Sequence, residues 1–133
     1  MAQTSGIHHL GLAVKNLEST RDFFVLHLGW EESGYDASYP RTAVSDGVVR
    51  LTLWQVDHSK NVNEFDMRGN VGLHHLALQI DDEAALQQLA EKLAAVDQVK
   101  IEFMPELMGN GPRKHFICYE PGGLRIEFTW PGS

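Results

Sequence analysis

Apolar and polar positions alternate from Ile7 to Val14, which predicts a strand. His8, Leu10, Leu12 and Val14 fall on one face; Ile7, His9, Gly11 and Ala13 fall on the other. The first face is bulky and suited to packing under a helix, and the second is open. The period then changes. Asn16 is a candidate N-cap, Leu17, Phe24 and Leu28 recur at helical spacing, and Gly29 is placed to end the helix. Trp30 to Tyr35 and Arg41 to Ser45 read as strands, and Asp46-Gly47 is a tight-turn signal. Val48 to Val56 is the strongest strand of this half, with Arg50, Thr52, Trp54 and Val56 on the face opposite Leu51 and Leu53. The order is β-α-β-β-β.

Asp57 to Gly72 is polar, with little periodicity, and reads as a connector. The order then repeats. Leu73 to Ile80 is a strand with His75, Ala77 and Gln79 on its open side. Asp81 or Asp82 caps a helix whose stripe is Leu86, Leu89, Leu93 and Val96. Val99 to Phe103 is a short strand, and Met104 to Arg113, with two Pro and two Gly, is a loop. Lys114 to Tyr119 and Leu124 to Trp130 are strands joined by Glu120-Pro121-Gly122-Gly123. The expected fold is α+β, with two paired βαβββ modules forming a curved mixed sheet around a metal-binding cleft. Module one spans about 6–57, the connector about 58–72 and module two about 73–131 of one domain covering 1–133.

The repeat is also visible in the letters. His8-His9-Leu10-Gly11-Leu12 returns as His74-His75-Leu76-Ala77-Leu78. If the modules pair symmetrically, matching histidines converge, and a metal is the simplest reason for that. Strand parity selects His9 and His75 from the four; a slip of one residue would select His8 and His74 but bury the wrong faces. Aligning the last strands of the two halves sets Arg125 on Arg50 and Glu127 on Thr52. The expected ligands are therefore His9, His75 and Glu127. Two imidazoles and one carboxylate with open positions suit one divalent ion: Fe, Mn, Co, Ni or Zn. Thr52, Trp54, Arg50, Gln79 and Arg125 share the open faces and are candidates to wall a substrate pocket. His115 and Tyr119 share a parity and are candidate acid or base groups.

Charge and composition narrow the partners. With 133 residues, 43% hydrophobic and 22% charged, the chain reads as an ordinary globular domain. A formal charge of -7 argues against a general nucleic-acid surface. No apolar run approaches a membrane span, and the opening residues do not read as a signal peptide. The single cysteine, Cys118, cannot form an intrachain disulfide and reads as a small core residue, so a reducing, cytoplasmic setting is expected.

The paired His-containing strands, the β-α-β-β-β repeat and the ending Glu120-Pro-Gly-Gly-Leu-Arg-Ile-Glu127 resemble the vicinal oxygen chelate superfamily. That superfamily includes glyoxalase I, fosfomycin- and bleomycin-resistance proteins, methylmalonyl-CoA epimerase and extradiol dioxygenases. The resemblance covers nearly the whole chain. It implies metal ligation by His9, His75 and Glu127, a small-molecule substrate with adjacent oxygens, and a homodimer. Thr52 stands where glyoxalase I and the epimerase carry a fourth ligand, a glutamate. Three ligands are more like the extradiol dioxygenases and fosfomycin-resistance enzymes. The expected function is a glyoxalase-like metalloenzyme with lyase or isomerase chemistry. The alternatives are an Fe(II) extradiol ring-cleaving dioxygenase and a drug- or metabolite-binding resistance protein without chemistry.

Overall fold

A computed structural model describes residues 1–133, which form two compact units, Met1–Asn63 and Glu64–Ser133. Unit 1 runs β1 (Leu10–Val14), α1 (Leu17–Asp22), a π-helical turn (Phe23–His27), β2 (Glu31–Asp36), β3 (Arg41–Ser45) and β4 (Arg50–Gln55). Its mixed sheet has the order β1-β4-β3-β2, with β1 parallel to β4 and the other pairs antiparallel. Unit 2 runs β5 (Leu76–Gln79), α2 (Glu83–Ala94), β6 (Lys100–Leu107), β7 (Lys114–Tyr119) and β8 (Arg125–Trp130). Its order, β5-β8-β7-β6, is the same topology. Each unit is thus a βαβββ module. No helix is long and apolar enough to cross a membrane.

In unit 1 the helix covers the face bearing Leu12, Val14, Val44, Leu51 and Leu53, all buried with Leu17, Phe23 and Phe24. Asn16, in extended conformation, accepts from the Ser19 amide at 3.0 Å and so starts α1. The helix closes where the Trp30 amide reaches the Phe24 carbonyl at 2.9 Å, and Gly29 takes a φ of +75° there. Trp30 packs on Phe24 at 4.9 Å.

In unit 2 the Asp82 carboxylate caps α2 by accepting from the Ala84 amide at 3.0 Å. Leu86, Ala90 and Leu93 are buried over Phe116, Cys118, Ile126 and Phe128. Leu89 and Val96, also expected in this stripe, are only half-buried. Phe116 and Phe128 stack at 4.9 Å, and fully burying each ring contributes about 1.5–3 kcal/mol.

Several strand boundaries differ from expectation. β1 and β5 begin at Leu10 and Leu76, so Ile7–His9 and Leu73–His75 precede their strands. The turns feeding β4 and β8 explain this. The Asp46 carboxylate takes the amides of Val48 and Val49 at 2.9 and 2.8 Å, which draws them into the turn. β4 then starts at Arg50, and Leu10 pairs with Leu51 at the start of the ladder. The Glu120 carboxylate takes the Gly122 and Leu124 amides at 2.8 and 3.2 Å, and β8 starts one residue later. Finally, β6 continues to Leu107 through Pro105, where a loop was expected. It is an edge strand with two register shifts, the setting in which a sheet tolerates proline.

Candidate functional site

Register places Glu127 between Ala77 on β5 and Ile117 on β7, on the face away from α2. Its side chain is 9% exposed and its two oxygens have different surroundings. Oε1 lies 3.2 Å from His75 Nε2. Oε2 lies 2.7 Å from His115 Nδ1 and accepts from the Thr129 hydroxyl at 3.3 Å. An ionised carboxylate only accepts, so His115 donates through Nδ1 and its Nε2 is the basic nitrogen. That Nε2 has no hydrogen-bond partner, and because no unpartnered polar side-chain atom is buried, it reaches solvent. Phe103, 4.9 Å away, braces the imidazole ring.

No three His, Cys, Asp or Glu side chains are gathered into a ligand cluster. What unit 2 supplies is a pair. Two atoms held about 2.1 Å from one ion, at 90–110° to each other, lie roughly 3.0–3.4 Å apart. The 3.2 Å between His75 Nε2 and Glu127 Oε1 falls in that interval, so the donors and their spacing fit a divalent ion.

Tyr119 and Arg125 face the same side and are occupied. Arg125, buried, donates from Nε and Nη2 to the two oxygens of Glu102 at 2.9 and 2.8 Å. The Tyr119 hydroxyl donates to Glu102 Oε1 at 2.7 Å. The Arg125 guanidinium foremost, then the Tyr119 hydroxyl, hold the Glu102 carboxyl down at about 2, against its partial burial. Donation to Glu102 pushes the Tyr119 hydroxyl up, so it keeps its proton. Gln79 donates to Asp81 at 2.8 Å instead of standing free. Glu102 is the residue the sequence does not announce. It sits at the first β6 bulge, between Ile101 and Phe103, where alternation gives no reading of its face.

In unit 1 His9 is exposed just before β1, and His8 Nδ1 lies 2.9 Å from its Nδ1. Thr52, the counterpart of Glu127, is buried, and its hydroxyl accepts from Trp54 Nε1 at 2.9 Å. The indole lies over Gly11, where a Cβ would stand 3.2 Å from Thr52 Oγ1 and 3.6 Å from Trp54 Nε1. Tyr39 meets the indole edge-on at 4.8 Å, and the Arg41 guanidinium lies 5.6 Å from its centre. Neither neighbour was singled out from sequence, because both enter from other strands or turns. Trp54, Tyr39, Val56 and His58 help to line an open groove of about 940 Å³. Arg50 is half-buried at the start of β4, opposite Ser45. Cys118 is fully buried, which pushes its thiol up to about 12 and leaves it inert.

Comparison with known proteins agrees with this architecture. An uncharacterized protein of Bacillus subtilis (strain 168), YqjT, is 26% identical over 129 residues, 94% of this chain and 98% of its own. The crystal structure of a glyoxylase/bleomycin resistance protein/dioxygenase domain from Frankia sp. EAN1pec superposes with a TM-score of 0.81 at 19% identity, over 97% of this chain and 99% of that one. Lactoylglutathione lyase from Agrobacterium tumefaciens superposes with a TM-score of 0.74 at 19% identity, over 97% and 96%. At such identities the structural likeness speaks for the fold. The model of one family matches residues 6–128, nearly the whole chain. The chain belongs to the Glyoxalase/Bleomycin resistance protein/Dioxygenase superfamily.

Proposed function

We propose that this protein is a glyoxalase-like metalloenzyme that binds a small oxygenated substrate at a divalent metal held by His9, His75 and Glu127. The observation that carries the reading is the 3.2 Å spacing of His75 Nε2 and Glu127 Oε1 on a buried carboxylate. His9, the repeat counterpart of His75, would complete two imidazoles and one carboxylate, supplied by the same chain or by a second copy of it. When bound, the ion supplies Lewis acidity toward two adjacent substrate oxygens. Family resemblance alone supports a homodimer and a small-molecule substrate.

A fourth protein ligand is not part of this reading. Thr52 has no carboxylate, and its hydroxyl is engaged by the Trp54 indole. Lyase or isomerase chemistry therefore needs a proton carrier other than a second glutamate. Tyr119 is a poor base, since its hydroxyl is committed to Glu102. His115 is the better one, because Glu127 fixes its Nδ1–H and leaves Nε2 to take a proton. Trp54 and Thr52 would form one wall of the substrate pocket, while Arg125 serves the site by way of its neighbours.

Metal content measured after alanine replacement tests the reading. His9→Ala, His75→Ala and Glu127→Ala are each expected to lose the ion while keeping the far-UV dichroism of the parent. Three variants that retain the parent's metal content would refute it.

A further inference from the structure

The doubled histidine is a feature the ligand set does not use up. Only the second member of each pair has a role so far. Yet the first member makes the same contact in both units. His8 Nδ1 lies 2.9 Å from His9 Nδ1, and His74 Nδ1 lies 2.8 Å from His75 Nδ1. The ring centres are 5.1 Å apart in both pairs, with interplanar angles of 79° and 75°.

Two Nδ1 atoms at hydrogen-bond distance share one proton, so one ring donates and the other accepts. In unit 2 the neighbours decide which. Arg125 Nη1 lies 3.5 Å from His74 Nδ1. A guanidinium carries donors and no acceptor, so the nitrogen facing it presents a lone pair. The contact is long, but Arg125 is held in place by two bonds to Glu102, and its positive charge stays beside that nitrogen. His74 Nδ1 is then the acceptor, and the shared hydrogen belongs to His75 Nδ1. This leaves His75 Nε2 as the lone-pair nitrogen, facing Glu127 Oε1 at 3.2 Å. Two lone-pair atoms so placed can share a divalent ion, and the neutral Nδ1–H form of His75 is the one that leaves both of them free to do so.

We propose that His74 is a positioning residue. Facing Arg125, which Glu102 holds in place, it fixes His75 in the Nδ1–H form that binds a metal through Nε2. The inference rests on the metal-centre reading above and gives the first histidine of the unit 2 pair a role.

Zinc titration calorimetry on the metal-stripped protein provides the test, together with long-range proton–nitrogen NMR of the metal-free form at a pH where His74 is neutral. His74→Leu removes the acceptor from an exposed position, and His74→Asn restores one through its side-chain oxygen. We expect His74→Leu to weaken zinc binding roughly 10–100-fold, the usual cost of losing a partner behind a ligand, and His74→Asn to recover most of it. Glu127→Ala should abolish binding. The NMR spectrum should show His74 protonated on Nε2 and bare on Nδ1. His74→Leu binding zinc as the parent does would overturn the positioning role and leave the metal centre standing. A His74 protonated on Nδ1 would overturn it independently of any metal. A parent protein that takes no zinc or other divalent ion would overturn the metal-centre reading, and the positioning role with it.

Discussion

Replacing Glu102 with glutamine separates the charge of this residue from its shape. The folded protein holds the Glu102 carboxyl at about 2, against an ordinary value of 4.5, chiefly through its bonds from Arg125. A shift of that size corresponds to about 3 kcal/mol of differential stabilisation. The Glu102 side chain is 29% exposed on an edge strand, and solvent screening reduces the expected contribution to about 1–2 kcal/mol. Because the folded value is depressed, the contribution is complete above 4.5 and is lost as pH falls toward about 2. Glutamine has no such titration. Urea denaturation should therefore show Glu102→Gln destabilised at pH 7, with less than half of that difference left at pH 3. An equal difference at both pH values, or none at pH 7, would refute the assignment of this stability to the Glu102–Arg125 pair.

Two further outcomes follow from the packing. Gly11→Val places a branched side chain where a Cβ alone would stand 3.2 Å from Thr52 Oγ1. It should cost about 1–3 kcal/mol and shift tryptophan fluorescence as Trp54 loses its bond to Thr52; unchanged fluorescence would contradict the close packing of the Trp54 indole over Gly11. Cys118 is buried with its thiol pushed up to about 12, so an aromatic disulfide reagent at pH 8 should label it only after denaturation. Rapid labelling of the folded chain would show that the β7 core opens locally.

The repeat and the faces of its strands were legible because the chain alternates cleanly where both faces matter. Parity alone puts Leu12, Val14, Leu51 and Leu53 on packing faces, and all four are buried. It also places Thr52 with Trp54, and Glu127 with Thr129, side by side. Strand starts were less legible. Val48 and Val49 read as β-formers, yet a single aspartate side chain draws their amides into the turn. Proline and glycine obscured β6, since an edge strand with bulges accommodates what an inner strand would not. The network around Glu102 was hidden for the same reason, because a bulge breaks the alternation that would assign its face. Partners arriving from other strands, such as Tyr39 and Arg41 around Trp54, leave no local signal at all. The histidine pairs were visible as letters, but their contact depends on donor and acceptor directions that letters do not carry.

Elemental analysis of the natively purified protein, repeated after incubation of stripped protein with divalent ions, tests the central claim most directly. The account predicts a tightly held divalent metal in near-stoichiometric amount, absent from Glu127→Ala. Parent protein that neither carries nor takes up a divalent ion would contradict it.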